Sequence, residues 1–313
     1  METRMLGNSD LKISRIGFGA WAAGGAWEFG WSSQDDRESV AAIHRALELG
    51  ANWIDTAAVY GLGHSEEVVA RALAEWKGAR PYVFTKCGMI WDGKGKVGYS
   101  VRAESVRREV EASLRRLKAD VIDLYQIHWP ADEMAETEEG WGEMLRLKAH
   151  GKVRWIGASN FSVEELRHAQ ALGTVTSLQP PYSLIRREAG REVLPFCGRQ
   201  GIGVIVYSPM GSGLLTGAFN HERVAKLPVD DWRRKNGEFQ EPKLSANLAL
   251  VERLREVARR LGRTPAEVAV AWPLHHPAVT GAIVGARNAG QVDGTFRAAD
   301  LKLSPEDIRA IEG

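Results

Sequence analysis

The sequence predicts an α/β protein: a closed (β/α)8 barrel of the TIM type, preceded by a β-hairpin. Three observations lead there. A short apolar segment followed by a helical pattern recurs eight times. The apolar segments are continuous, as parallel strands buried on both faces should be. The competing architecture, an open doubly wound sheet, would show G-x-G-x-x-G after its first strand if it bound a dinucleotide. Here Gly17 and Gly19 are followed by Ala20-Trp21-Ala22-Ala23.

The elements follow in order. Short β patterns at 3–6 and 12–14 flank the turn Gly7-Asn8-Ser9-Asp10 and predict a hairpin. Residues 16–20 form the first strand of the rhythm, and DRESVAAIHRALELG (36–50) a helix ended by glycine. The next three units pair strands at 53–55, 82–86 and 121–128 with helices at 65–76, 103–117 and 138–149. The fifth pairs 153–159 with 162–172, where Ser162 and Glu165 form a capping box. The sixth pairs 176–179 with a helix around 189–199. Strand 204–207 precedes helices at 246–261 and 265–275, the second with Thr264 as N-cap and Pro265 at N1. Strand 282–284 precedes a helix around 289–298, and Ser304-Pro305 opens a last short helix. The helices supply right-handed crossovers. No linker or composition break appears, so 1–313 reads as one domain. Residues 211–246 are too long for a bare βα loop and predict a lid or an insertion.

Composition excludes several classes. Lys and Arg total 41 against 40 Asp and Glu, so no field that recruits nucleic acid or an anionic membrane is expected. Two cysteines, Cys87 and Cys197, make no disulfide framework and fit a reducing cytosol. The first residues lack the apolar core of a signal peptide, and no apolar run approaches a membrane span, so a cytoplasmic location is expected. The sequon at Asn160 is then irrelevant. The 11 tryptophans are unusual: several fall in WAAGGAWEFGW (21–31), others at 91, 129 and 232. They read either as core aromatics or as the wall of a pocket.

In this fold the active site lies at the C-terminal ends of the strands. Asp55 ends the second strand, with Tyr60 in the loop after it. Lys86 ends the third and His128 the fourth. Ser159-Asn160, Gln179 and Tyr207-Ser208 end the next three. Singly, each has an ordinary reading: a capping Asp, a solvated Lys, a hydrogen-bonded structural His. Asp, Tyr, Lys and His on three consecutive strand ends point to chemistry. A free Tyr has a pKa of about 10, too high for efficient proton transfer near neutrality. A nearby Lys⁺ is expected to stabilise the phenolate and lower that value. Asp would hold the Lys in place, and His would polarise the same oxygen or orient a carbonyl. The product is a proton donor for a developing alkoxide. No side chain supplies hydride, so a redox cofactor is required. Tyr207 would stack on a flat ring, and Ser159, Asn160 and Gln179 would hydrogen-bond a carboxamide. The glycines of SPMGSGLLTG (208–217) would let backbone N–H groups approach a pyrophosphate. Arg287, in IVGAR (283–287), stands where this fold places a phosphate-binding cation. No acidic side chain occupies 285–292 to repel that phosphate. No metal site is expected.

The motifs GFGAW, NWIDTAAVYG, VFTKCG, DLYQIHWP, IGASNFS, LQPPYSL, VIVYSPMGSGLLTG and AIVGAR together resemble the aldo-keto reductase family, in its bacterial aldose-reductase-like branch. The resemblance runs from about residue 3 to 311. It implies that the N-terminal hairpin closes the base of the barrel. It implies reduction of aldehydes and ketones with NAD(P)H, reversible with alcohols. The catalytic tetrad would be Asp55, Tyr60, Lys86 and His128, with Tyr60 the general acid. Ser159, Asn160 and Gln179 would hold the nicotinamide amide, and Tyr207 would stack on its ring. Ser208, Gly211, Gly213 and Leu214 would wrap the pyrophosphate. Gly285, Arg287 and Gln291 would meet the adenosine end, with Arg287 on the 2′-phosphate, so NADPH is the expected cofactor. DDWRRKNGEF (230–239) resembles the loop that closes over the cofactor. Trp21, Trp27, Trp91 and Trp129 would line the pocket of a small carbonyl substrate. The alternatives are a sugar or polyol dehydrogenase working with NAD(P)⁺, or a cofactor-bound regulatory subunit.

There are departures. Many relatives carry Q-x-x-E-N after the last strand; here Gly294 and Thr295 stand for the Glu and Asn that meet the adenine. GMIWDGKG (88–95) imitates a phosphate loop, but Gly95 stands where Ser or Thr is needed and no helix follows. It is expected to be a substrate-side loop. Cys87 is expected to be a packed small residue.

Overall fold

Two short strands, β1 (Thr3–Met5) and β2 (Lys12–Ser14), pair antiparallel at the start of the chain. Then come β3 (Ile16–Gly19), β4 (Trp53–Asp55) and β5 (Tyr82–Cys87). A second hairpin follows, β6 (Met89–Trp91) with β7 (Val97–Tyr99). The last five strands are β8 (Ile122–Ile127), β9 (Val153–Ser159), β10 (Ser177–Gln179), β11 (Gly203–Val206) and β12 (Val279–Gly285). Strands β3-β4-β5-β8-β9-β10-β11-β12 are parallel neighbours, and β12 returns to pair with β3, so the barrel closes. This computed structural model describes every residue except Trp31, Ser32 and Asp230. Trp31 of the aromatic run and Asp230 at the head of the 230–239 run therefore lie outside the described residues.

Helices alternate with the strands: α1 (Asp36–Glu48), α2 (His64–Glu75), α3 (Ala103–Leu117), α4 (Met134–Ala149), α5 (Val163–Leu172) and α6 (Val193–Gln200). Then come α7 (His221–Ala225), α8 (Lys243–Leu261), α9 (Pro265–Leu274), α10 (Ala289–Asp293) and α11 (Pro305–Glu312). Local chemistry sets their starts. Asp35 caps α1 by accepting the Arg37 N–H, and acidic residues fill its first turn. The capping boxes Ser162/Glu165 and Thr264/Glu267 open α5 and α9.

Three expectations need correction. Residues 88–95 are not an open loop. They form β6 and the tip of its hairpin, where Asp92 Oδ1 accepts the N–H groups of Lys94 and Lys96. Such an Asx turn closes a hairpin tip without any bound anion. The helix expected at 289–298 stops at Asp293 and becomes a 3-10 turn, Phe296–Asp300. Thr295 Oγ1 donates to the Gln291 carbonyl at 2.8 Å, competing with the helix ladder beside Gly294. The helix near 189–199 splits into a 3-10 turn, Glu188–Gly190, and α6. Residues 211–246 form a packed insertion holding α7 and several 3-10 turns. Leu214, Phe219, Leu227 and Phe239 pack there against Leu244 of α8 as a separate apolar cluster.

The floor of the barrel is packed with apolar side chains. Leu6, Leu11 and Ile13 of the hairpin region pack against the inward residues Trp53, Phe84, Leu124, Ile205 and Ile283. Trp53 lies flat across Gly17, where a methyl group would sit 2.1 Å from the indole. Its Nε1 donates to the Ser14 carbonyl at 2.9 Å. Arg15, 4% exposed, donates to the carbonyls of Val279 at 2.6 Å, Thr280 at 2.7 Å, and Leu274. No helix among the described residues is long and apolar enough to cross a membrane.

Candidate active site

Side chains on a strand alternate faces, so two residues beyond each floor residue lies another inward position. Trp53 leads to Asp55, Phe84 to Lys86, Leu124 to Gln126 and then His128, and Ile205 to Tyr207. The register stacks them: Lys86 pairs with Gln126, Gln126 with Gly157, and Ser159 with Gln179. One layer above an apolar floor, the barrel interior is polar.

Buried polar groups need partners, and here they find each other. Lys86 is fully buried. Its Nζ donates to Asp55 Oδ1 at 2.5 Å, to the Thr56 carbonyl at 2.9 Å and to Tyr60 Oη at 3.4 Å. That matches the three hydrogens of an ammonium. Since Lys86 approaches the phenol oxygen as a donor, the tyrosine hydrogen is left to point elsewhere. Burial pushes the Lys86 pKa down while Asp55 draws it back. The expected lowering of the Tyr60 pKa is not what the resting site shows. Burial, and then the charge of Asp55, hold it well above the ordinary value. The physical reason is first burial, which disfavours the charged phenolate, and then the like charge of Asp55 beside it. Tyr60 is therefore a fully protonated donor at neutral pH. His128 meets the Tyr60 ring edge-on at 5.7 Å. Burial, then Lys86, push its pKa well down, so it is a neutral imidazole.

The loop geometry explains why Tyr60 is followed by glycine. A methyl group on Gly61, φ +61°, would lie 2.1 Å from the Gly24 carbonyl oxygen, so the two loops cross backbone against backbone. Ser65 Oγ donates to the Ala20 carbonyl at 2.7 Å and ties the same loops together. Buried Glu66 accepts from Thr85 Oγ1 at 2.6 Å and Arg116 Nε at 2.7 Å.

The candidate carboxamide cradle is also internally bonded. Ser159 Oγ donates to the Gln179 carbonyl at 2.9 Å. Asn160 Nδ2 donates to the His128 carbonyl at 2.9 Å and to Ser159 Oγ at 3.0 Å. Tyr207 donates to Asn160 Oδ1 at 2.9 Å, and burial raises its phenol to about 12. Gln179 Nε2 donates to Asp55 Oδ2 at 2.8 Å. Backbone strain collects at this mouth. Leu62, Asn160, Ser208 and Ser212 hold φ between 56° and 63°; among the described residues one other non-glycine residue has a left-handed φ, Lys118, at a helix end (φ 51°). Gly211 and Gly213 bend the 208–217 turn, while the Leu214 side chain belongs to the core of the insertion and offers only backbone.

At the other side of the mouth, Gly285 pairs with Gly19. Arg287 Nε donates to Gln34 Oε1 at 2.8 Å and Nη2 to the Ser33 carbonyl at 2.9 Å. Gln291 Oε1 accepts the Arg287 backbone N–H at 2.9 Å and shapes this loop. An acidic residue does come near, from the insertion: Asp231. Against its burial, hydrogen bonds from Arg233 and the charges of Arg233 and Arg287 hold its pKa down.

The tryptophans divide. Trp27 lies 6.1 Å from the Tyr60 ring. Trp21 meets Trp232 of the insertion at 5.6 Å. Trp129 is 46% exposed at the rim, and its carbonyl accepts from Tyr99. Trp91 lies 5.7 Å from the Arg116 guanidinium, against the flank of α3. Cys87 is buried beside Met144. Sequence reasoning missed Gln126, and it named the 230–239 run without singling out Asp231 or the Trp21–Trp232 contact. Gln126 carried a usable signal, since in DLYQIHWP it stands two residues before His128 and so on the same face.

The donors fit a nicotinamide nucleotide: a ring at Tyr207, amides facing a carboxamide, a glycine turn for phosphates, and a guanidinium beyond. Comparison with known proteins agrees. The profile of the Aldo/keto reductase family matches residues 15–313. The aldo-keto reductase YhdN of Bacillus subtilis (strain 168) is 37% identical over 314 residues, 99% of this chain and 92% of that protein. The NADH-specific methylglyoxal reductase of Escherichia coli (strain K12) is 35% identical, over 96% of this chain and 94% of its own length. The structure of the glycerol dehydrogenase AKR11B4 from Gluconobacter oxydans superposes with a TM-score of 0.90 at 38% identity, covering 99% of this chain and 94% of that one. A closed parallel barrel matched over residues 15–313, the chain belongs to the aldo/keto reductase family of nicotinamide-dependent oxidoreductases.

Proposed function

We propose that the protein reduces an aldehyde or ketone to an alcohol, with NADPH as the hydride source. The observation that carries this reading is the Lys86 contact to Tyr60 Oη, backed by Asp55. It leaves the phenol hydrogen free for a substrate oxygen. NADPH, when bound, supplies the hydride that no side chain can. The side chains do the rest. Tyr60 gives its proton to the carbonyl oxygen as negative charge develops there, and Lys86 stabilises the phenolate left behind. Neutral His128 offers a ring N–H to the same oxygen. Ser159, Asn160 and Gln179 hold the carboxamide, Tyr207 stacks on its ring, and residues 211–246 cover the nucleotide. Ser208, Gly211, Gly213 and Leu214 face the pyrophosphate with backbone, and Gly285, Arg287 and Gln291 form the adenosine end. Trp21, Trp27, Trp91 and Trp129 border the carbonyl substrate.

NADPH preference rests on Arg287. The nearby Asp231, and a relative described as NADH-specific, are the arguments against it. A glycerol dehydrogenase among the similar structures favours a second reading, in which the same residues run alcohol oxidation with NAD(P)⁺. Two free, buried cysteines support a cytoplasmic location. The test is a panel of aldehydes, ketones, sugars and polyols with NADPH, NADH and their oxidised forms, followed by nicotinamide absorbance. Reduction of at least one carbonyl class faster than oxidation of its alcohol at neutral pH is expected. No turnover in either direction would end the proposal.

A further inference from the structure

We propose that Gln126 is a positioning residue for the nicotinamide end of the site: it fixes the orientation of Gln179. The role rests on the proposed reading, because Gln179 acts there on the carboxamide. Gln126 is fully buried on the inner face of β8, between Lys86 and Gly157 in register. A methyl group on Gly157 would lie 2.3 Å from Ser177 Oγ and in ordinary contact, 3.4 Å, with Gln126, so β9 and β10 pack closely beside this side chain. Its Nε2 donates to Asp55 Oδ2 at 3.4 Å, and its Oε1 accepts from Gln179 Nε2 at 3.3 Å. Gln179 Nε2 donates its other hydrogen to the same Asp55 oxygen at 2.8 Å.

These three contacts decide which way both amides point. A carboxylate only accepts, so Asp55 Oδ2 draws an NH2 group from each glutamine. With Gln126 turned that way, its oxygen faces Gln179 and takes the second Nε2 hydrogen. A flipped Gln179 would set its oxygen against both Asp55 Oδ2 and Gln126 Oε1, three acceptors with no hydrogen among them. Gln179 Oε1 is therefore held outward, as an acceptor for an amide N–H of the carboxamide. An apolar residue at 126 would remove one of the two acceptors that enforce this. The ordinary reading of Gln126, a buried strand residue satisfied by its neighbours, accounts for the bonds but predicts no ligand effect.

The experiment compares wild type with Gln126→Met and Gln126→Leu, two packings without amide groups. Dissociation constants are measured for NADPH, NADH and ADP-ribose, a fragment that lacks nicotinamide. Both variants should bind the preferred reduced nucleotide about 2- to 12-fold more weakly, the worth of one ordinary hydrogen bond. ADP-ribose should bind as in wild type, which also reports that the fold is intact. Since Gln126 acts through Gln179, Gln126→Met with Gln179→Met should be no weaker than Gln179→Met alone. Unchanged nucleotide affinity in both variants, equal losses for nucleotide and ADP-ribose, or additive losses in the double variant would overturn the role. A wild type that binds neither reduced nucleotide would remove the proposed function first, which tells the two failures apart.

Discussion

Trp53 and Asp55 stand two residues apart on one strand, yet they belong to opposite kinds of interior. At the floor, an indole and its apolar neighbours fill the barrel. Each such side chain contributes about 1.5–3 kcal/mol by leaving water. At the mouth, the next inward residues are a carboxylate, an ammonium and two amides, all buried. A buried ion pair is roughly neutral for stability against an apolar replacement, because desolvation offsets attraction. The floor holds the barrel shut. The mouth holds charges where water would otherwise weaken them. The difference teaches that stability and chemistry are separated by one pleat of the strand, and that substitutions on the two levels should fail differently.

The first way to break that separation is to exchange the failures. Tyr60→Phe should lower turnover by about 10²- to 10⁴-fold, since proton transfer is lost. Its melting temperature and nucleotide affinity should stay near wild type. Trp53→Ala should do the reverse: about 3–5 kcal/mol of stability lost, with kcat per folded molecule little changed. Single-turnover reduction and urea unfolding on both variants make the check. Undiminished turnover in the first would remove Tyr60 from its role.

Lys86→Met crosses the two levels. Breaking a buried pair leaves Asp55 uncompensated, which costs about 3–5 kcal/mol. Turnover should fall nearly as far as in Tyr60→Phe, because the phenolate loses its cation. The milder Lys86→Arg allows a pH–rate profile in the oxidative direction. An unmoved basic-side pKa in that variant would show that the cation at 86 does not tune the donor.

The barrel and the strand-end positions of the candidate residues were legible in the sequence, because both follow from period and position. Continuous apolar strands alternate with capped helices, and Asp55, Lys86 and His128 end their strands visibly. What escaped depends on side chains meeting across the fold. Gln126 sits between Tyr125 and Ile127 and reads as strand interior until β8 is placed beside β9. Asp231 approaches Arg287 from the insertion, 56 positions earlier in the chain. No periodicity carries that electrostatic influence. The 88–95 segment was rightly denied a phosphate, but its hairpin was not foreseen, because β6 is only three residues long and its pairing depends on β7 beyond it.

Glu109 sharpens the comparison at the mouth. Its carboxylate, 9% exposed, accepts the Gly88 N–H at 2.9 Å and Ser105 Oγ at 3.1 Å, under the β6–β7 hairpin. Burial raises its pKa to about 7. The folded value lies above the unfolded one. Its contribution is therefore fully present below about pH 4.5 and is lost as pH rises through 7, about 3 kcal/mol in all. Glu109→Gln keeps an acceptor for Gly88 and removes the titration. From pH 5 to about 7 the variant should gain on wild type in urea midpoint, and the gain should level off toward pH 8. Parallel curves would mean that Glu109 does not titrate in this window.

The smallest expected effect contrasts two arginines. Arg15 at the floor gives its guanidinium to three backbone carbonyls and has no role open to it beyond holding β12 and α9. Arg287 at the mouth donates through Nε and Nη2 to residues 33 and 34, with no partner for Nη1 among the described residues. A guanidinium so oriented suits a phosphate. NADPH differs from NADH by that one phosphate, so a protein preferring NADPH must pair its charge. A hydrogen bond to a charged group is worth roughly 1.5–3 kcal/mol, about 10- to 150-fold in affinity. Arg287→Ala should weaken NADPH by something in that range and leave NADH almost unchanged. The Asp231 charge, which interacts with Arg287, would oppose a bound phosphate, so Asp231→Asn should tighten NADPH modestly and not NADH. Both effects should shrink at high salt as charges are screened. Dissociation constants for both nucleotides, in wild type and the two variants at two salt concentrations, decide the matter. Equal affinity for NADH and NADPH in wild type would sink the assignment of Arg287, whatever the variants do.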